Sequence, residues 1–222
     1  MNISHYPAES LTIRKYHKTD REAIRRICCD TAFMGEPTEK FFDDRQILAD
    51  ILTSYYTDFE PDLTFVAELN KQIVGYLTGG RSLKKQRMIF MTKIIPKTCL
   101  KFFLKGLVFK PKTRNFCLNC FKSLLKGEFR HPDFSRDYPA SLHINIDYKF
   151  RNLGIGRELI EKYVERLKQE RIRGILVTTT SQKAKEFFRK MGFTVLYYRR
   201  ISYYTYLNCE NLFFIILGKK LN

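Results

Sequence analysis

The chain has 222 residues, 44% hydrophobic and 28% charged, with 40 Lys and Arg against 23 Asp and Glu, a formal net charge of +17. That length and apolar content are enough for one full hydrophobic core and exclude a disordered or fibrous chain. No apolar run reaches the length of a membrane span, and residues 1–5 lack the basic-then-apolar organisation of a signal segment. A cytosolic protein is therefore expected, and the six cysteines, Cys28, Cys29, Cys99, Cys117, Cys120 and Cys209, show no disulfide framework, which suits a reducing compartment.

Residues 11–16 alternate as a first strand, and Thr19-Asp20-Arg21-Glu22 reads as a capping box opening a helix through about Phe33, with Pro37 as its stop. Residues 41–56 carry Phe41, Ile47, Leu48, Ile51 and Leu52 on one helical face. Residues 63–69 and 72–77 then flank Asn70-Lys71 as a hairpin. After Ala140 come a strand at residues 142–146, a helix patterned by Leu153, Leu159, Ile160, Val164 and Leu167, and a strand at 174–178. A helix around Ala184 and two last strands near 195–200 and 212–217 complete the order.

Between the third and fourth strands lies a segment of different character. From Arg81 to His131 there are fourteen Lys and Arg against one acid, Glu128, a net of +13, so the remaining chain accounts for only +4 of the +17. Two apolar stretches divided by Pro111 predict two short amphipathic helices. Three readings are open: apolar faces packed on the domain with the lysines as a solvated rim, a docking surface for an anionic partner (a membrane surface or nucleic acid), or a lid on the substrate side. Cys117 and Cys120 sit here at metal-ligand spacing. A structural zinc needs four convergent ligands, and Cys99 and His131 are isolated, so no metal is expected and the cysteines are assigned to apolar helix faces.

The chemistry-bearing motif is Arg151-Asn152-Leu153-Gly154-Ile155-Gly156, between the 142–146 strand and its helix. Glycines there let backbone approach an anion closely, and the first amides of the helix point outward with its positive dipole end, which makes a phosphate cradle. A Rossmann fingerprint would need a third glycine, an early strand and a ribose-binding acid, and a P-loop would need Gly-Lys-Ser/Thr, so neither fits.

The six residues resemble the Gln/Arg-x-x-Gly-x-Gly/Ala motif of the GNAT superfamily of acyl-CoA N-acyltransferases. The stretch Ser181-Gln-Lys-Ala184-Lys-Glu-Phe-Phe188-Arg-Lys-Met-Gly192-Phe193 resembles that family's later helix, usually Asn-x-x-Ala-x-x-x-Tyr-x-x-x-Gly-Phe. The resemblance covers most of the chain outside residues 81–139. It implies an α/β GNAT fold, a mixed sheet with helices on both faces, as one domain over 1–222 with a basic insertion at about 81–139. It also implies an acetyl-CoA-dependent transferase acting on a primary amine. The pantetheine arm would run along Ile144, Asn145 and Ile146, and the pyrophosphate would sit on residues 151–156. Ser181, Ala184 and Phe188 would line the coenzyme from the later helix. Residues 138–144 also resemble a bacterial subgroup related to the acetyltransferase-like domain of O-GlcNAc hydrolases.

Acyl transfer needs a base for the amine and stabilisation of the leaving thiolate. The family's usual general acid is a Tyr, here Phe188, which cannot donate a proton; solvent, Tyr197 or Tyr198 would have to serve. Glu36, in the loop that commonly borders the acceptor pocket, and Tyr138, preceding the 142–146 strand, are the candidate groups on the acceptor side. His143 alternates out of phase with Ile144 and is assigned to packing against a helix. Phe188 supports the competing class, a catalytically silent acyl-CoA-binding domain that docks a polyanion or membrane through the basic insertion.

Overall fold

The computed structural model describes residues 11–221; residues 1–5, read above for a targeting signal, lie outside them. The strands are β1 (Leu11–Lys15), β2 (Phe65–Leu69), β3 (Gln72–Gly80), β4 (Ala140–Ile146), β5 (Gly174–Thr179), β6 (Thr194–Ile201) and β7 (Leu212–Lys220). They form one mixed sheet in the order β1-β2-β3-β4-β5-β7-β6, in which only β4 and β5 pair in parallel. The β2–β3 turn places Asn70 and Lys71 at φ of 49° and 63°, the left-handed pair that a two-residue hairpin requires.

The helices are α1 (Arg21–Asp30), α2 (Arg45–Ser54), α3 (Leu83–Ile89), α4 (Ile95–Leu104), α5 (Pro111–Leu125), α6 (Ile155–Gln169) and α7 (Gln182–Lys190). The main core lies under α6 and α7. Leu159, Ile160, Tyr163, Leu167 and Phe188 pack there on Ala67, Leu77, Leu142, Val177 and Leu217 from the sheet. On the opposite face Ile24, Ile27 and Cys28 of α1 cover Val66, Ile73 and Tyr76. This is the helices-on-both-faces arrangement, with a helical insertion between β3 and β4.

Several boundaries differ from the sequence reading for identifiable reasons. A 3-10 turn over Lys18–Asp20 precedes α1. The Asp20 carboxylate accepts the His17 N–H at 2.8 Å and two guanidinium bonds from Arg14 at 2.7 and 2.8 Å, so Asp20 organises this helix start and Thr19 does not. α2 begins at Arg45 because Asp44 caps it, accepting the Ile47 N–H at 2.8 Å, while Phe41 and Phe42 stay in the preceding turn, buried against Phe116. Leu153 is exposed in the turn ahead of α6 and does not belong to its apolar face.

The segment joining β3 to β4 is helical over α3, α4 and α5, with a π-helical turn Phe90–Ile94 joining the first two. Pro111 sits at the first position of α5, where its missing N–H is harmless. α3 escaped the sequence reading because its Lys-rich composition carries little apolar periodicity; Ser82 caps it, accepting the Lys85 N–H at 3.3 Å. Among the described residues no helix is long and apolar enough to cross a membrane.

Candidate functional site

β4 and β5 run side by side, yet they pair only at Ala140 with Ile175 and at Ser141 with Leu176. Beyond that point β4 continues to Ile146, held by β3 on its other edge, and β5 continues to Thr179, held by β7. The middle of the sheet therefore opens into a wedge whose two walls offer strand backbone that no neighbouring strand takes up. Backbone polar groups at such depth need partners. An extended molecule carrying amide groups, laid along β4, would supply them as an added strand does.

The wedge opens toward the carboxyl ends of β4 and β5, where two helices start. β4 ends in a tight turn: Asp147 accepts the Lys149 N–H at 3.2 Å, donates its own N–H to Val74 O at 2.9 Å, and leads through Tyr148–Phe150 to Arg151. Asn152 (φ 66°) and Gly154 (φ 80°) then reverse the chain, and a Cβ at Gly154 would meet nothing within 4 Å. Gly154 is the N-cap of α6 and has no side chain to occupy the amides of the first turn. Those amides lie on a turn exposed over residues 151–154, where an anion cradle is expected from the sequence.

The Arg151 side chain does not reach into this cradle. Its guanidinium donates to Ile146 O at 3.3 Å and to Gly35 O at 3.2 Å, so it ties the turn to the loop between α1 and α2. Gly35, at φ 98°, is fitted to that contact: a Cβ there would lie 3.0 Å from Arg151 Nη1.

α7 supplies the second helix start. Ser181 caps it, accepting the Ala184 N–H at 3.3 Å. Ala184 and Phe187 are half-buried, and a Cβ at Gly156 would sit 3.1 Å from the Phe187 ring. Phe187 thus closes the space between α6 and α7, a role the sequence reading did not assign. Phe188 points the other way, buried in the main core with its ring 5.4 Å from that of Phe193. Two adjacent phenylalanines on a helix look alike in sequence, and packing alone tells them apart.

On β4, Ile144 and Ile146 face the α6 side and pack partly on the main core, while His143 and Asn145 face α1. Asn145 Nδ2 donates to Tyr76 Oη at 2.9 Å and lies 3.2 Å from His143 Nε2. Burial holds the His143 pKa down at about 4, so the ring is neutral, and burial raises the Cys28 thiol to about 12 beside Tyr76.

The remaining candidates are scattered. Glu36 is exposed, paired with Lys40, and lines an open hollow of ≈ 460 Å³ with Phe33, Met34, Lys40, Leu207 and Cys209, between the α1–α2 loop and the β6–β7 loop. Tyr138 is buried against Leu176 and Ile216 at the closed end of the wedge, its ring over Gly174 and Gly218. Tyr198, on β6 near the start of α7, stacks on Phe213 at 4.4 Å and accepts a hydrogen bond from Gln182 at 3.0 Å. Tyr197 lies on the other face of β6 and donates to Arg130 O at 3.2 Å. Cys117 and Cys120 ride on α5, and among the described residues no group of three or more His, Cys, Asp and Glu is arranged to hold a metal ion.

An acetyltransferase (GNAT) domain model matches residues 128–195, the span from the end of the insertion through β4, the glycine turn, α6, β5, α7 and the start of β6. Among solved structures, SsHAT is 21% identical with a TM-score of 0.69, covering 96% of this chain and 99% of its own. YncA from Salmonella typhimurium, solved with its cofactor acetyl-CoA, is 15% identical with a TM-score of 0.53, covering 96% and 95%. A Drosophila melanogaster polyamine N-acetyltransferase that forms N-acetylagmatine is 14% identical with a TM-score of 0.58, covering 95% and 100%. No curated protein matches the chain. This sheet and its wedge are those of the α/β GNAT fold, and within it residues 128–195 are similar to an acetyltransferase (GNAT) domain.

Proposed function

We propose that acetyl-CoA lies in the β4–β5 wedge and that its acetyl group passes to a primary amine entering from the hollow beside Glu36. The observation that carries this is the wedge itself, two strands that pair over two residues and then part above two helix starts. In this reading the pantetheine amides bond to the backbone of Ile144, Asn145 and Ile146. The pyrophosphate takes the amides of Asn152, Leu153, Gly154, Ile155 and Gly156, with Arg151 bracing the turn from outside. Ser181 and Ala184 border the coenzyme from α7, and Phe188 supports them from the core.

For transfer, the ammonium must lose a proton before its lone pair attacks the thioester carbonyl; the C–S bond then breaks and the thiolate takes up a proton. Glu36 is the acid placed at the hollow, and its carboxylate would attract the ammonium and accept that proton in exchange for its pairing with Lys40. With Phe188 lacking a hydroxyl, the thiolate is protonated by solvent, or by Tyr198 at the mouth of α7. Tyr138, at the closed end, serves the frame.

The acceptor's chemistry follows the similar proteins only as far as the amine: one forms N-acetylagmatine, and another, from Escherichia coli, acetylates the alanine of ribosomal protein S18. The finer subgroup related to O-GlcNAc hydrolases rests on residues 138–144 alone. The six free thiols support a reducing, cytosolic setting. The basic insertion forms a second surface in this reading, facing an anionic partner.

The test is a screen of polyamines and amino-terminal peptides with thiol release as readout, beside calorimetry of acetyl-CoA. Turnover with any primary amine supports transfer. Tight coenzyme binding with no turnover across the screen would favour the silent reading, which the buried Phe188 supports.

A further inference from the structure

The insertion is built inside out. On α5 the buried positions are Thr113 and Ser123, with Phe116 and Cys120 half-buried between them. The exposed positions on the same helix include Leu118, Phe121, Leu124 and Leu125, the last 74% exposed. α4 repeats the pattern, with Thr98 buried and Leu100, Phe103 and Leu104 turned out, Leu104 at 78%. The connection between the helices adds Phe109 at 82%. A helix of a globular domain does the reverse, turning its apolar stripe inward.

Polar contacts do much of the holding. Lys101 and Lys105 pair with Asp50 and Asp44 at 2.6 and 2.7 Å, and the Thr113 N–H and hydroxyl donate to Asp43 at 2.8 and 2.9 Å. Glu128 accepts both the N–H and the hydroxyl of Ser202 at 2.7 Å. Phe102, Leu107 and Phe116 supply the apolar anchors. Apart from Phe103, whose ring meets that of Phe102 edge-on at 5.8 Å, none of these outward side chains joins an apolar cluster among the described residues, and so many exposed apolar side chains on two successive helices mark an interaction surface.

Charge selects among occupants. Lys97, Lys110, Arg114 and Lys122 are exposed and form no ion pair with any described residue, so the surface presents uncompensated cations around its apolar residues. A second copy of the chain meeting it face to face would set one +13 segment against another. A nucleic acid would satisfy the cations but leave the leucines in water. An anionic lipid surface matches both, taking apolar side chains below the headgroups while lysines stay at phosphate level.

Resting on the reading of the insertion as an anion-facing surface, we propose that α4 and α5 seat this protein peripherally on an anionic bilayer through Leu100, Phe103, Leu104, Leu118, Phe121 and Leu125. The helices lie in the plane of the interface and do not span it. The same helices pack on Phe41 and Phe42 beside the hollow that holds Glu36, so the seated protein holds that hollow close to the membrane surface.

The experiment is vesicle co-sedimentation of the full chain on phosphatidylcholine alone and on mixed phosphatidylcholine–phosphatidylserine, across a salt series, with duplex DNA as a parallel ligand. Two variants accompany it: Phe103→Gln/Leu104→Gln/Phe121→Gln/Leu125→Gln, and Lys97→Gln/Lys110→Gln/Arg114→Gln/Lys122→Gln. All eight positions are exposed, and circular dichroism with acetyl-CoA calorimetry checks that each variant is folded. The parent should partition onto the anionic vesicles with a part that resists salt, and each variant should lose about tenfold or more of that partitioning. Three results overturn the inference: no partitioning of the parent at low salt, an apolar variant that binds vesicles like the parent, or self-association of the parent that the apolar variant abolishes. Steep, salt-sensitive binding to DNA without vesicle binding would also overturn it, while leaving the anion-facing reading standing; binding to neither removes both.

Discussion

Gly156→Glu separates charge from volume at the proposed pyrophosphate site. Gly156 has no positive φ, and a side chain there starts toward the Phe187 ring, whose nearest atom would lie 3.1 Å from the new Cβ. That ring must give by a few tenths of an ångström, which a half-buried side chain can do. In the first turn of a helix the glutamate also gains about 0.5 kcal/mol in helix propensity and a similar amount from the dipole. The fold should therefore survive.

Coenzyme binding should not. A carboxylate about 4 Å from one phosphate charge is repelled by about 1 kcal/mol in water-like surroundings and about 4 kcal/mol at the effective dielectric of a protein surface. Affinity for acetyl-CoA then falls between about fivefold and nearly a thousandfold. Gly156→Ala brings the same Cβ without the charge and should stay within a few-fold of the parent. The Glu defect should also shrink as salt rises, because screening acts on exposed charges. Calorimetry at two ionic strengths reads all three values. Unchanged acetyl-CoA affinity in a folded Gly156→Glu protein would refute the placement of the pyrophosphate on this turn.

Phe188→Tyr buries a hydroxyl in the main core where Phe188 is 4% exposed, so it should cost about 1–3 kcal/mol in chemical denaturation and leave acetyl transfer no faster; a faster enzyme would mean that the ring edge reaches the thioester. His143 has its pKa lowered to about 4 from 6.5 by burial, so between those values the unfolded chain binds a proton that the folded one refuses. The stability this contributes is complete above pH 6.5 and is lost by about 3 kcal/mol as pH falls to 4. His143→Asn should flatten that slope, and a denaturation series with the same slope in both proteins would contradict the assignment. Arg81 compensates buried Glu60 and also pairs with Asp62 and Glu170. Arg81→Met should therefore lower stability by about 3–5 kcal/mol and Tm by roughly 6–20 °C, and a shift under 2 °C on thermal denaturation would show the network to be dispensable.

Much of the frame was written locally. Asn70-Lys71 between two alternating runs could hardly be anything but a hairpin, and Gly154 and Gly156 marked the turn because only a chain without side chains leaves amides open at a helix start. The charge of residues 81–131 and the apolar stretches around Pro111 likewise stood in the sequence. Local chemistry fixes such features because backbone conformation and helix periodicity depend on neighbours within a few residues.

Tertiary structure decided which way each face points. The same periodicity that predicts an amphipathic α5 is silent on whether Leu118 and Leu125 turn inward, and they turn outward because Asp43 and Ser202, distant in sequence, bond to Thr113 and Glu128. Phe187 and Phe188 divide between the α6–α7 gap and the core for a reason that lies in Gly156 and Phe193. Tyr138, just ahead of β4 in sequence, ends at the closed end of the wedge because β4 runs away from it. The wedge itself exists only once β3 and β7 hold β4 and β5 apart, a relation between strands that no single stretch of chain contains.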